Sequence, residues 1–87
     1  MEKVMTIRNR MGLHARPAAM FVQEAGKFKS QIFVVKDGLQ VNGKSVMGLM
    51  LLAAESGSKL TVKADGPDEE KALEALEKLF ERRFDEQ

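Results

Sequence analysis

His14, the one histidine of the chain, stands in the run Met11-Gly12-Leu13-His14-Ala15-Arg16-Pro17-Ala18-Ala19, where a glycine bend gives way to residues that open a helix. A neutral imidazole nitrogen is a nucleophile near neutral pH. Proline is accommodated at the start of a helix because its missing N–H would have had no intrahelical partner, and the alanines behind Pro17 favour helix. His14 is therefore expected at or just before a helix N-terminus, where unpaired amides and the positive end of the helix dipole attract an anion. Arg16, two positions on, keeps its charge and can fork two N–H groups onto phosphate oxygens. A nucleophile, helix-end amides and a guanidinium together suit the uptake of a phosphoryl group. Taken singly, each has a plainer account: a solvated histidine beside a turn, a surface arginine, a proline that starts a helix and a glycine that makes a bend.

Periodicity places these residues on elements. Val4 to Arg8 reads as a first strand, with Met5 and Ile7 on one side, and Arg16 to about Ala25 as a first helix with Ala18, Phe21, Val22 and Ala25 at helical spacing. Gln31 to Lys36, the turn pair Asp37-Gly38 and Leu39 to Val41 read as a hairpin. A short apolar helix follows Asn42-Gly43-Lys44-Ser45, with Ser45 as its natural N-cap, a role worth about 0.5–2 kcal/mol against alanine. Glu55 to Ser58 ends it. Leu60 to Ala64 alternates as a fourth strand with Leu60, Val62 and Ala64 inward. The last helix is entered through Gly66-Pro67-Asp68 and carries Ala72, Leu73, Leu76, Leu79 and Phe80 on one stripe, with Asp68, Glu69 and Glu70 at its positive end and Arg82 and Arg83 near its negative end. The order βαββαβα, with half-apolar strands and amphipathic helices, predicts an α+β domain whose antiparallel sheet is covered by helices on one side.

The short helix is apolar nearly all round. Val46, Met47 and Met50 share one side and Leu49 and Leu52 another, so either both sides are buried or one is left exposed.

Composition narrows the function classes. With 87 residues and 44% hydrophobic content the chain has material for one core, so residues 1–87 are expected to form one domain. A formal charge of +1 gives no electrostatic reason to expect nucleic acid or an anionic membrane as partner. The absence of cysteine excludes thiolate chemistry and fits a reducing compartment, and a single histidine makes a metal centre improbable on residue types alone. The N-terminal residues lack the apolar run of a secretion signal, and Val46 to Ala54 is far short of the roughly 20 residues a membrane-spanning helix needs. A cytoplasmic monomer without cofactor is the expectation.

The string GLHARPAA resembles the active-site motif of the HPr family, the histidine-containing phosphocarriers of the bacterial phosphoenolpyruvate-dependent phosphotransferase system. VNGKSVMGLM at positions 41 to 50 resembles the family's regulatory motif, and DGPDEEKALEAL the start of its C-terminal helix, so the likeness runs through essentially the whole chain. The resemblance implies an open-faced β-sandwich with sheet order 1-4-2-3 and three helices on one face. It implies that His14 takes a phosphoryl group on Nδ1 from phosphoenzyme I and passes it to IIA domains of sugar permeases or regulators, so that the chain is a carrier and not an enzyme. It further implies that Arg16 steadies the phosphate, that an ATP-dependent HPr kinase/phosphorylase acts on Ser45, and that Val46, Met47 and Met50, with Met20, form a partner-docking patch. Ile7 to Met11 and Leu79 to Glu86 are similar also to the nitrogen-related paralogue. A regulator of the same fold, acting through Ser45 and protein contacts, is the second reading; relatives of that kind lack the active histidine.

Overall fold

The structure is a computed structural model that describes residues 1–86, in the order β1 (Glu2–Thr6), α1 (Ala15–Ala25), β2 (Gln31–Lys36), β3 (Leu39–Asn42), α2 (Val46–Leu51), β4 (Lys59–Asp65) and α3 (Glu69–Glu81), followed by a short turn, Arg83–Asp85. The four strands form one antiparallel sheet, β1-β4-β2-β3, the order the family resemblance implies. Alternation sets its faces. Met5, Ile32, Val34, Val41, Leu60, Val62 and Ala64 are buried beneath the helices, whereas Val4, Gln40 and Leu39 are exposed. The helices contribute Ala18, Phe21 and Ala25 from α1, Leu49 from α2, and Ala72, Leu73, Leu76, Leu79 and Phe80 from α3 to the same core. Phe80 joins two aromatic contacts there, edge-on to Phe21 at 6.1 Å and to Phe84 at 5.0 Å between ring centroids.

Bounds shift by one or two residues at β1, α1, β3 and β4, and α2 stops at Leu51 instead of running to Ala54, the chain turning left-handed at Ala53 (φ +48°). β1 starts earlier and stops at Thr6, because its ladder runs from Glu2 opposite Lys63 to Thr6 opposite Lys59, where β4 itself begins. Ile7 instead exchanges hydrogen bonds with the loop before β4: its N–H donates to the Ser58 carbonyl at 2.8 Å and its carbonyl accepts from Gly57 at 2.7 Å. α1 begins at Ala15, which makes Pro17 its third residue and not its first. That N–H too would have lacked an intrahelical acceptor, so the ring costs no helical bond there.

Asp68 lies at the positive end of α3, as the charge pattern of the sequence predicts. It occupies the cap position, yet its carboxylate makes no cap bond and reaches the loop before β2, accepting from the Lys29 and Ser30 amides at 2.8 and 2.9 Å and from the Ser30 hydroxyl. The Ser30 hydroxyl, followed by the Lys29 amide, lowers its pKa from 3.8 to about 2. A carboxylate depressed in the folded state stabilises the fold above its unfolded pKa and loses that contribution as pH falls from about 3.8 to about 2. Acid unfolding followed by circular dichroism should therefore show native chain losing stability through this window, with Asp68→Asn flatter across it; equal slopes would contradict the linkage.

Candidate functional site

His14 is the N-cap of α1, with extended backbone (φ −83°, ψ −171°), and its carbonyl accepts the Ala18 N–H at 3.0 Å. Its side chain makes no capping bond, so the ring is free for other contacts. The amides of Ala15 and Arg16 belong to the first turn and have no intrahelical acceptor. No acidic residue lies in that turn, so nothing on α1 itself opposes an anion at its start. Arg16 is exposed and forms no ion pair among the described residues, which leaves its guanidinium available to an incoming anion.

The approach to His14 is fixed by backbone. Gly12 has φ +74°, and an added Cβ would lie 2.5 Å from the Ala54 carbonyl oxygen. The neighbouring Leu13 N–H donates to that same carbonyl at 2.9 Å, so the loop before α1 is pinned to the segment after α2, and the Leu13 side chain is buried. Asn9, fully buried, ties the loop from within: its Nδ2 donates to the Gly12 carbonyl at 2.6 Å.

One partner of the histidine is absent from the sequence reading. Glu86 Oε1 lies 3.0 Å from His14 Nε2, and Asn9 Nδ2 donates to the same oxygen at 3.2 Å. The His14 hydrogen bond lowers the Glu86 pKa most, with Asn9 and the charges of His14 and Arg16 acting in the same direction while burial opposes them. The carboxylate is therefore ionised near neutral pH, and an ionised carboxylate only accepts. The hydrogen on that contact belongs to Nε2. Nδ1 is left without a hydrogen bond among the described residues and, in the neutral ring, carries the lone pair. About a third of the side chain, 36%, remains exposed.

Ser45 caps α2, its Oγ accepting from the Gly48 N–H at 3.0 Å. Beyond the cap, α2 is divided. Leu49 and Leu52 are buried, whereas Met47 is 80%, Leu51 71% and Met50 45% exposed, so the fully buried alternative does not hold. Met20 and Val46 are partly buried and packed against the core, which sets them apart from Met47 and Met50. Leu51 was not singled out in the sequence, although its i, i+4 spacing from Met47 puts the two on one side. α2 packs against α1, the helix that carries His14 at its head.

A match to the family profile described as the PTS HPr component phosphorylation site spans residues 1–82. The chain belongs to the HPr phosphocarrier family. Phosphocarrier protein HPr of Treponema pallidum (strain Nichols) is 49% identical over 85 residues, 98% of this chain and 97% of that protein. HPr-like protein Crh of Halalkalibacterium halodurans is 53% identical over 81 residues, 93% of this chain and 96% of that one. Among solved structures, HPr-C-His from Thermoanaerobacter tengcongensis superposes with a TM-score of 0.96 at 50% identity, covering 100% of this chain and 98% of its own. As an HPr-family phosphocarrier the chain is a component of the phosphotransferase system, and no described helix is long and apolar enough to cross a membrane.

Proposed function

We propose that this chain takes a phosphoryl group from phosphoenzyme I onto His14 and passes it to IIA domains of sugar permeases or regulators, as a one-domain cytoplasmic monomer that turns over no substrate itself. The observation that carries this reading is the division of labour on the ring: Nε2 is engaged by Glu86, while Nδ1 has no hydrogen bond among the described residues, on a ring that caps α1 two positions before Arg16. A carrier must hold a reactive phosphorus–nitrogen bond loosely enough for the next nucleophile to attack in line. One exposed guanidinium and two helix-end amides give a moderate grip. The test is incubation with phosphoenolpyruvate and catalytic enzyme I, then addition of a IIA domain. One acid-labile phosphate should appear per chain and then leave for the acceptor; a phosphate that never moves on would refute the carrier role. Sedimentation of the native chain should give a monomer mass, and a dimer would correct that part.

Met47, Met50 and Leu51 are read as the docking face, since flexible methionines let one surface repack against several partners. Met47→Asp should slow transfer from enzyme I about tenfold or more, the effect of losing a hot-spot contact of roughly 1.4 kcal/mol or greater, with little change in thermal midpoint. A large loss of stability with unchanged transfer would point instead to a structural role.

Ser45 carries the regulatory part of the proposal. A phosphate on its hydroxyl would add roughly two negative charges beside Met47 and at the start of α2, where it need not unfold the helix. Ser45→Asp should slow enzyme I transfer without unfolding the chain, and equal rates for native and variant would argue against regulation at this position. The 53% identity to Crh favours a second reading, a regulator working through Ser45 and protein contacts. His14, at the head of α1 with one ring nitrogen unpaired among the described residues, gives the carrier reading precedence.

A further inference from the structure

The turn after α3 is left-handed over three successive non-glycine residues: Arg83, Phe84 and Asp85 have φ of +56°, +51° and +58°. Side chains disfavour this conformation by roughly 1–2 kcal/mol per residue, and it persists only where the surroundings hold it. Three contacts do so. Phe84 is fully buried with its ring against Phe80, the Arg82 guanidinium pairs with Asp85 at 3.0 Å, and Glu86 ends on His14 and Asn9. The strained turn brings the chain back so that a carboxylate meets the histidine ring 72 residues away in sequence. Asn9, buried and bonded to the Gly12 carbonyl, orients that carboxylate from the other side. A nucleophile whose ring is held by an acceptor, itself held by a third group, is the arrangement that fixes a tautomer.

We infer that Glu86 is a positioning residue for His14, holding the ring protonated on Nε2 and balancing the charge the ring gains when Nδ1 carries a phosphoryl group. The inference rests on the carrier reading and deepens it. In loading, the Nδ1 lone pair forms a bond to phosphorus as the donor's bond to phosphorus breaks and that electron pair stays with the donor. The ring becomes cationic, and its Nε2 proton remains shared with Glu86. In unloading, the acceptor's lone pair bonds to phosphorus, the pair of the phosphorus–nitrogen bond returns to Nδ1, and a neutral ring departs with the Nε2 proton still in place. A neutral imidazole leaves more readily than an anionic one, so a carboxylate that keeps Nε2 protonated favours both directions of transfer.

Two variants separate positioning from simple loss of structure. Nitrogen-15 spectra of the ring should show the Nε2–H tautomer in native chain at a pH where the ring is neutral, and the Nδ1–H form should appear in Glu86→Ala. That variant should transfer the phosphoryl group about tenfold more slowly, at the low end of what removing a group that orients a functional imidazole costs. Glu86→Gln keeps an acceptor without the charge, so it should retain the native tautomer yet still slow onward transfer. Native tautomer and native rates in Glu86→Ala would overturn the inference, and native rates in Glu86→Gln would remove the charge-balancing part. If native chain takes no phosphate at all, the carrier reading fails, and the ring spectra still decide whether Glu86 holds the tautomer.

Discussion

No phosphoryl label is expected on a His14→Ala chain incubated with phosphoenolpyruvate and enzyme I, because the variant lacks the only imidazole in the sequence. The fold should survive the change. His14 makes no side-chain cap bond, its ring is partly in solvent, and its carbonyl, which opens the helical ladder with Ala18, is retained by alanine. The thermal midpoint should therefore move by less than about 5 °C, the shift expected for under 1 kcal/mol in a domain of this size. Glu86 loses its partner in the variant, so its lowered pKa should move back toward 4.5. Labelling of the alanine chain at the native level would remove His14 from the mechanism.

Gly12→Ala should have the largest effect on stability. At φ +74° a side chain is already strained, and the added carbon would meet the Ala54 carbonyl oxygen at 2.5 Å and Glu55 Cα at 3.0 Å. Both are backbone atoms, so no rotamer change relieves the contact. Moving the loop away would also break the Leu13 to Ala54 hydrogen bond and disturb Asn9, which holds the Gly12 carbonyl. Conformational strain and overpacking together should cost about 3 kcal/mol or more, against a total stability of roughly 5–15 kcal/mol for a small domain. Calorimetry should record a fall of more than about 12 °C in the midpoint. A fall of less than about 3 °C would show that the bend adapts without the glycine. Phosphate uptake by whatever folds should drop as well, because the same loop delivers His14 to the start of α1.

The parts of the fold and site that depend on local signals were legible. The Asp37-Gly38 turn, the apolar stripe from Ala72 to Phe80 and the inward Leu60, Val62 and Ala64 follow from turn chemistry and period, and the structure has them where the periodicity places them. Ser45 was readable as a cap because a hydroxyl before an apolar helical run has a specific backbone partner. The strand order was not readable from pattern alone, since alternation fixes a strand's faces and not its neighbours; it came from the family resemblance. α2 was ambiguous because a helix apolar all round has no polar side to mark the solvent. The packing of Leu49 and Leu52 settles which side faces inward. Glu86 and Asn9 escaped notice for a different reason. The carboxylate reaches His14 only through three non-glycine residues in left-handed conformation, which no propensity announces, and Asn9 in sequence is one polar residue of a loop.

The most direct test is to find which atom holds the phosphorus. In chain labelled with nitrogen-15 histidine and loaded by phosphoenolpyruvate and enzyme I, phosphorus–nitrogen coupling should identify Nδ1 of His14, the nitrogen that Glu86 leaves open. Coupling to Nε2, or a phosphate on any other residue, would contradict the site described here.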